Sequence, residues 1–485
     1  MQEYKEIQKI NETIYTLHHL VEFLDFDRDS GMPVGASEFR GKQLGLLETL
    51  INKEYKNPRL NDLFKICRNN NNLTKKQQID VEETYKNWVH ASAISEVLIE
   101  KMANSVAKTT QIWTDCKNKK ASFKDILPHL QENFEITKQI ANEKGKLLNL
   151  TPYNALCDGF QSGLTTEIID KTFGELKTFL PDLIKKVKNK KTIPIKNYSK
   201  EQKIVYVKKL LNLMNFDWNR GRVGEVIHPC SCGMSPDTIV AINYNSDLLS
   251  LTYSVMHECG HCIYTQNLTD YLSAVGQQRG MGIHESQSLF YEKQIGKNEN
   301  FVKTISKLMQ ESCGNNFELN EENILNTIRR VEPTFIRIDA DEVTYPLHIV
   351  MRYEIEKAII NDELQVKDLP EVWNAKMKEY LGITPPNDLL GCLQDCHWYV
   401  GLIGYFPSYT FGAIIASQLM KKLSGEYNVV NALNGGDLGK ITSFLNEKIH
   451  SKGCEKSFME LVKNATDNEI DVRCFKEYLE KRYLK

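Results

Sequence analysis

The sequence predicts a mostly α-helical protein, one large helical body carrying a minor β element. Three observations lead there. Apolar residues recur at i, i+3, i+4 and i+7 through most of the 485 residues, the spacing of helices with one buried face. Alternating β-branched runs are few, and TIVAINYN (238–245) is the best of them. Hydrophobic residues at 41% and charged residues at 26% are those of a globular chain, which excludes a disordered or fibrous protein. A compact chain of this length exposes roughly 18,000 of the ~81,000 Å² its unfolded form would show, so its core needs no disulfide staples.

Taken in order, the helical periodicity predicts helices over 11–26, 36–55 and 81–113, with the asparagine run Asn69–Asn72 as a solvent loop. A further helix is expected over 166–187. The lysine-rich 185–191 that closes it reads as a solvated helix end, because no aromatic residues interleave it as in a nucleic-acid patch. Another helix follows at 347–362. The uncharged stretch 398–420 is long enough to cross a bilayer. It holds Pro407, three tyrosines and three glycines, however, and no second segment resembles it, so a buried, loop-interrupted helix pair is expected there.

Lys+Arg (61) against Asp+Glu (63) gives a net charge of −2, which offers no pull towards nucleic acid or an anionic membrane surface. The twelve cysteines are scattered, and the polar start MQEYKEIQKI has no apolar core of a signal peptide. Both features predict reduced thiols and a cytoplasmic location.

The sharpest chemical signal is His257-Glu258-Cys259-Gly260-His261, an HEXXH pattern that is rare by chance with only 11 histidines in 485 residues. Positions i and i+4 stack on one helix face, so two imidazoles can bind one zinc while the intervening glutamate serves as a general base. The flanks agree. Ser250, Ser254, His257, His261 and Tyr264 form a polar stripe, and Leu248, Leu251, Val255, Cys259 and Ile263 an apolar one. A zinc site needs a third protein ligand. Glu285, near the start of a second amphipathic helix after Gly280 and Gly282, is well placed to supply it, and the neighbouring His284 competes. Adjacent helical residues point about 100° apart, so the two do not share one ion. A Cys₄ zinc knuckle from Cys230, Cys232, Cys259 and Cys262 is disfavoured, because Cys259 lies on the apolar face of a periodic helix.

Three further clusters are His228-Pro229, Ile336-Arg337-Ile338-Asp339-Ala340-Asp341 and Gly391-Cys392-Leu393-Gln394-Asp395-Cys396-His397-Trp398. With HEXXH and His284-Glu285-Ser286 they resemble the ordered motif set of the thermostable metallocarboxypeptidases, the carboxypeptidase Taq family. Met32-Pro33 with the following ASEFRGKQL, Tyr153-Asn154-Ala155-Leu156 and Gly404-Tyr405-Phe406-Pro407 extend the likeness over nearly the whole chain. The sequence departs from the family pattern in three places. Cys230 replaces a phenylalanine after His228-Pro229, and Ser288 replaces the glutamine that ends the His-Glu-Ser motif. At Asp237-Thr238-Ile239-Val240-Ala241 the family's arginine and threonine have become Ile239 and Ala241, which is expected to remove a cation and a hydroxyl near the cleft.

The resemblance implies a helical metallopeptidase fold with a deep central groove, built as a single domain over 1–485. Roughly 1–200 would form an N-terminal helical subdomain and 201–485 the catalytic part. It also implies a homodimer that removes single residues from the C-terminus of peptide substrates. Zn²⁺, or Co²⁺ on the same ligands, would be held by His257, His261 and Glu285, with Glu258 moving the proton. His228, His397 and Tyr409 are the candidates for hydrogen bonding the oxyanion. Arg337 is the choice for the substrate carboxylate, because a guanidinium matches it bidentately. The bland role for Arg337 is an ion pair with Asp339 or Asp341. Two other readings share the ligands: a helical zinc endopeptidase or oligopeptidase, which needs no carboxylate pocket, and a non-enzymatic zinc-stabilised binding protein, which would not need Glu258.

Overall fold

The computed structural model describes residues 2–92 and 94–484. Its regular structure is twenty α-helices and one three-stranded sheet, with one π-helical segment and five short 3-10 helices between them. The N-terminal half is helical: α1 (Gln2–Ser30), α2 (Ser37–Tyr55), α3 (Arg59–Arg68), α4 (Lys75–Ser92), α5 (Glu96–Lys117), α6 (Phe123–Leu148), α7 (Pro152–Asp158), α8 (Thr166–Lys186) and α9 (Lys200–Leu213). Strands β1 (Gly221–Glu225), β2 (Cys230–Met234) and β3 (Asp237–Ile242) follow, then α10 (Leu248–Asn267) and α11 (Met281–Leu289). The remainder is α12 (Glu299–Cys313), α13 (Glu321–Ile328), α14 (Tyr345–Ile360), α15 (Leu369–Leu381), α16 (Pro407–Glu426), α17 (Val429–Gly435), α18 (Gly439–Lys448), α19 (Phe458–Thr466) and α20 (Val472–Tyr483).

Residues 81–113, expected as one helix, are divided between α4 and α5. Ser95 starts α5 as its N-cap, its side chain accepting from the Leu98 N–H, because a serine hydroxyl can satisfy a free amide that the helix cannot. The 398–420 stretch also differs from expectation. It is a run of turns followed by the single helix α16, with Pro407 in the first turn, where a missing N–H costs nothing. No helix among the described residues is long and apolar enough to cross a membrane.

The sheet order is β1-β3-β2, with β1 parallel and β2 antiparallel to β3. β3 is shorter than the predicted 238–245. Asn243 ends it by donating its side-chain amide to the Ile227 carbonyl and accepting from the Asn245 N–H, which turns the chain towards α10. Val240 and Ile242 face the main core, which runs from Cys116 to Tyr483. A separate N-terminal cluster joins Tyr4, Ile7 and Ile10 of α1 to Leu63 and Phe64 of α3 and Val81 of α4. The accessible surface is 21,843 Å², above the roughly 18,000 Å² that scaling gives for a smooth compact chain.

Candidate active site

Asp247 fixes the start of α10, its carboxylate accepting from the Leu249 and Ser250 amides. Fifteen of the twenty α10 residues are buried, and the His257–His261 part of its polar stripe faces a protein-lined groove, while Ser250 at its start is exposed. Gly260 lets the next element approach. A Cβ there would lie 2.7 Å from the Ser288 Cα, so α10 and α11 meet backbone to backbone. Gly412 of α16 does the same on the other side, where a Cβ would lie 2.6 Å from the Glu285 Cβ. Glu285 is thus clamped between two helices with its carboxylate turned to α10.

The ligand atoms of His257, His261 and Glu285 all lie within 4.8 Å of one another. His257 Nε2 is 3.8 Å from Glu285 Oε2. Donors around an ion at about 2.1 Å are about 3.4 Å apart in a tetrahedron, so small side-chain rotations suffice and the residues fit a metal. The outer nitrogens are already held. His257 Nδ1 is 3.0 Å from Glu292 Oε2, and His261 Nδ1 meets His284 Nδ1, so one of that imidazole pair carries the shared proton. His284 therefore stands behind His261, stacked at 4.4 Å between centroids, and outside the three-donor group.

Charge is concentrated here. Burial disfavours a charged His257, but Glu292, Glu258 and Glu285 outweigh it and raise its pKa to about 9. Burial raises Glu258 to about 7 against the pull of His257. It also raises Glu285, which is opposed by His257, Ser288 and the more distant Arg337. Glu292 escaped the sequence reading. It lies in a π-helical segment, Phe290–Gly296, whose wider turn departs from the 3.6-residue repeat. Its separation of seven residues from Glu285, nearly two whole turns, was the available signal.

The groove has a volume of about 660 Å³, and His257, Glu258, His261, Glu285, Tyr405 and Tyr409 are on its walls. His228 is exposed in the turn before β2, where Pro229 and Cys230 form the wall. His397 is buried behind Tyr409, its Nε2 3.5 Å from the Tyr409 hydroxyl, and burial lowers its pKa to about 4.

Arg337 pairs with neither Asp339 nor Asp341. Its Nε and Nη2 donate to both oxygens of Asp395 at 3.0–3.2 Å, and Nη1 donates to the Tyr345 hydroxyl at 2.8 Å. Asp341 instead accepts from the Val343 and Thr344 amides ahead of α14, and Asp339 is exposed. Asp395 is shared with the fully buried Arg352, whose Nε donates at 2.7 Å. Glu356, one turn on from Arg352 along α14, is raised to about 7 by burial and offsets Arg352 only in part. Two guanidiniums thus share the one carboxylate of Asp395, and the Arg337 guanidinium lies behind the groove wall, 5.3 Å from the Tyr409 ring centre.

The altered β3 positions do not leave Asp237 without a cation. Arg222, paired with Ile239 across β1 and β3, donates to the Asp237 carboxylate. Ile239 and Ala241 pack with Val226, Phe26 and Cys232 in a small apolar cluster, so an arginine at 239 would displace Phe26.

A model of the Carboxypeptidase Taq (M32) metallopeptidase family matches residues 6–483. The chain belongs to this family. It is 34% identical to carboxypeptidase 1 of Bacillus subtilis over 491 residues, covering 99% of this chain and 97% of that one. Among solved structures, metallocarboxypeptidase 1 of Trypanosoma cruzi superposes with a TM-score of 0.97 at 31% identity, covering 100% of both chains. A carboxypeptidase of Pyrococcus furiosus, described as an apo-Mg form, gives 0.95 at 28%, covering 100% of this chain and 99% of that one. The protein is an M32 metallocarboxypeptidase, a metal-dependent peptide hydrolase acting at peptide C-termini.

Proposed function

We propose that His257, His261 and Glu285 hold a zinc ion and that Glu258 is the general base of a carboxypeptidase releasing one residue at a time. The convergence of two imidazoles and a carboxylate on one point, with a second, non-ligating carboxylate beside them in the groove, carries this reading. Two nitrogens and one oxygen suit zinc or cobalt, whereas magnesium prefers an all-oxygen octahedron. A bound zinc would polarise the scissile carbonyl and acidify water. Glu258 takes the proton from the attacking water and returns it to the leaving amine, a role suited to a buried carboxyl whose pKa lies near neutrality. Glu292 and His284 fix the rings of His257 and His261 from behind. Tyr409 is the oxyanion donor supported by its place on the wall, with His397 behind it and His228 too exposed to contribute comparably. Arg337 serves the substrate carboxylate through the positive charge that Asp395 leaves uncompensated, and Tyr345 and Tyr409 supply the hydroxyls at that end.

The same reading takes the protein as a cytoplasmic homodimer acting on peptides. Its twelve free cysteines suit a reducing compartment.

Metal analysis of purified variants tests the ligand set. The wild type is expected to hold about one zinc per chain, and His257→Ala, His261→Ala and Glu285→Ala to lose it. Glu292→Gln should weaken binding about 10–100-fold by releasing the His257 ring. Full occupancy in Glu285→Ala together with loss in His284→Ala would overturn the third ligand.

A further inference from the structure

Nine of the twelve cysteines are buried. Of the other three, Cys230 and Cys232 stand together on β2, two residues apart and so on one face of the sheet. Both are on the wall of the groove that contains His257 and Glu258. Their side chains are near enough for each to shift the other's proton affinity, and Cys230 is near enough to Glu258 to feel its charge. Cys230 is exposed and Cys232 half-buried beneath it, the arrangement of an attacking thiol with a resolving partner.

We propose that Cys230 and Cys232 form a thiol-modification site in the groove wall, taking low-molecular-weight disulfides, and that closing it suppresses peptide hydrolysis. Cys230, as thiolate, attacks one sulfur of the small disulfide. A bond forms to Cys230 and one small thiolate leaves, taking up the Cys230 proton. Cys232 then gives up its proton and attacks the Cys230 sulfur, which expels the second small thiol. One external disulfide is reduced to two thiols, and two protein thiols are oxidised to one disulfide. The proximity of Cys232 lowers the Cys230 pKa while that of Cys232 is raised, which favours this order of attack.

Closure has a structural cost that acts on the groove. Alternate Cα atoms of a strand are about 6.6 Å apart, near the upper limit of about 6.8 Å for a disulfide. Drawing the pair towards the usual spacing of about 5.5–6 Å bends β2 against its partners Ala241 and Ile239 on β3, and the wall from Cys230 to Ser235 moves with it. A bridge strained in this way is readily reduced again.

The test exposes the metal-loaded, full-length protein to oxidised glutathione, then follows intact mass, bridge position and peptidase activity. Loss of two hydrogen atoms, with the bridge mapped to Cys230–Cys232, is expected. Cys232→Ser should stop at one retained glutathione, and Cys230→Ser should take none on this strand. Activity should fall about tenfold or more, the scale expected of a wall shift of about 1 Å, and return with dithiothreitol. The double serine variant, measured against its own untreated activity, should ignore glutathione disulfide. An unmodified wild type, or a bridge from Cys230 to the buried Cys262, would overturn the site. A correct bridge without loss of activity would overturn its effect on hydrolysis. The activity arm rests on the peptidase reading and the mass arm does not, so a bridge formed in a protein inactive on every peptide would count against that reading and leave the site standing.

Discussion

Glu258→Gln is expected to lower kcat by about three orders of magnitude while the protein keeps its metal. Glu258 lines the groove but is not one of the three converging donors, so the amide removes a base and no ligand. Gln is nearly isosteric, and burial disfavours the Glu258 charge in any case, so the neutral replacement should leave the fold unharmed. Activity assays with metal analysis on one preparation check both halves. Loss of metal in Glu258→Gln would show that Glu258 is a ligand, and retained activity would remove it from the chemistry.

Asp395→Asn is expected to cost about 3–5 kcal/mol of stability, because it strips the shared charge from two buried guanidiniums. Arg352 is fully buried and Arg337 nearly so, and both donate to Asp395. Burial opposes the Asp395 charge, but Arg352 and Arg337 outweigh it and hold its pKa below the ordinary carboxylate value. The sign follows: this stability is present above the unfolded pKa and is lost as pH falls through the depressed one. Asp339→Asn is the control, since an exposed carboxylate should change stability by about 0.5 kcal/mol or less. Denaturant midpoints of the two variants decide. Equal, small losses would contradict the shared buried ion pair.

The centre of the site was legible because it is local. HEXXH lies on one helix whose periodicity is unambiguous, and Glu285 follows on the next helix, which a glycine-mediated contact brings into place. The helices at 166–187 and 347–362 were equally plain, their repeats agreeing with α8 and α14. What escaped was long-range or irregular. The partner of Arg337 is 58 residues away, and a nearby carboxylate such as Asp339 is the natural but mistaken choice from sequence. Glu292 reaches His257 through a π-helical turn that no 3.6-residue pattern describes. Arg222 compensates Asp237 from a parallel neighbour strand, and register between strands cannot be read from either one alone.

On the proposed function, the groove ends at a site for a substrate carboxylate beside the metal centre. Time-resolved mass spectrometry of one peptide, as free acid and as C-terminal amide, tests it most directly. The free acid should shorten by one residue at a time from its C-terminus. The amide should react about a hundredfold more slowly in kcat/KM, because it lacks the charged group that the Arg337 end attracts. Internal fragments released from the amide as fast as from the acid would contradict the account.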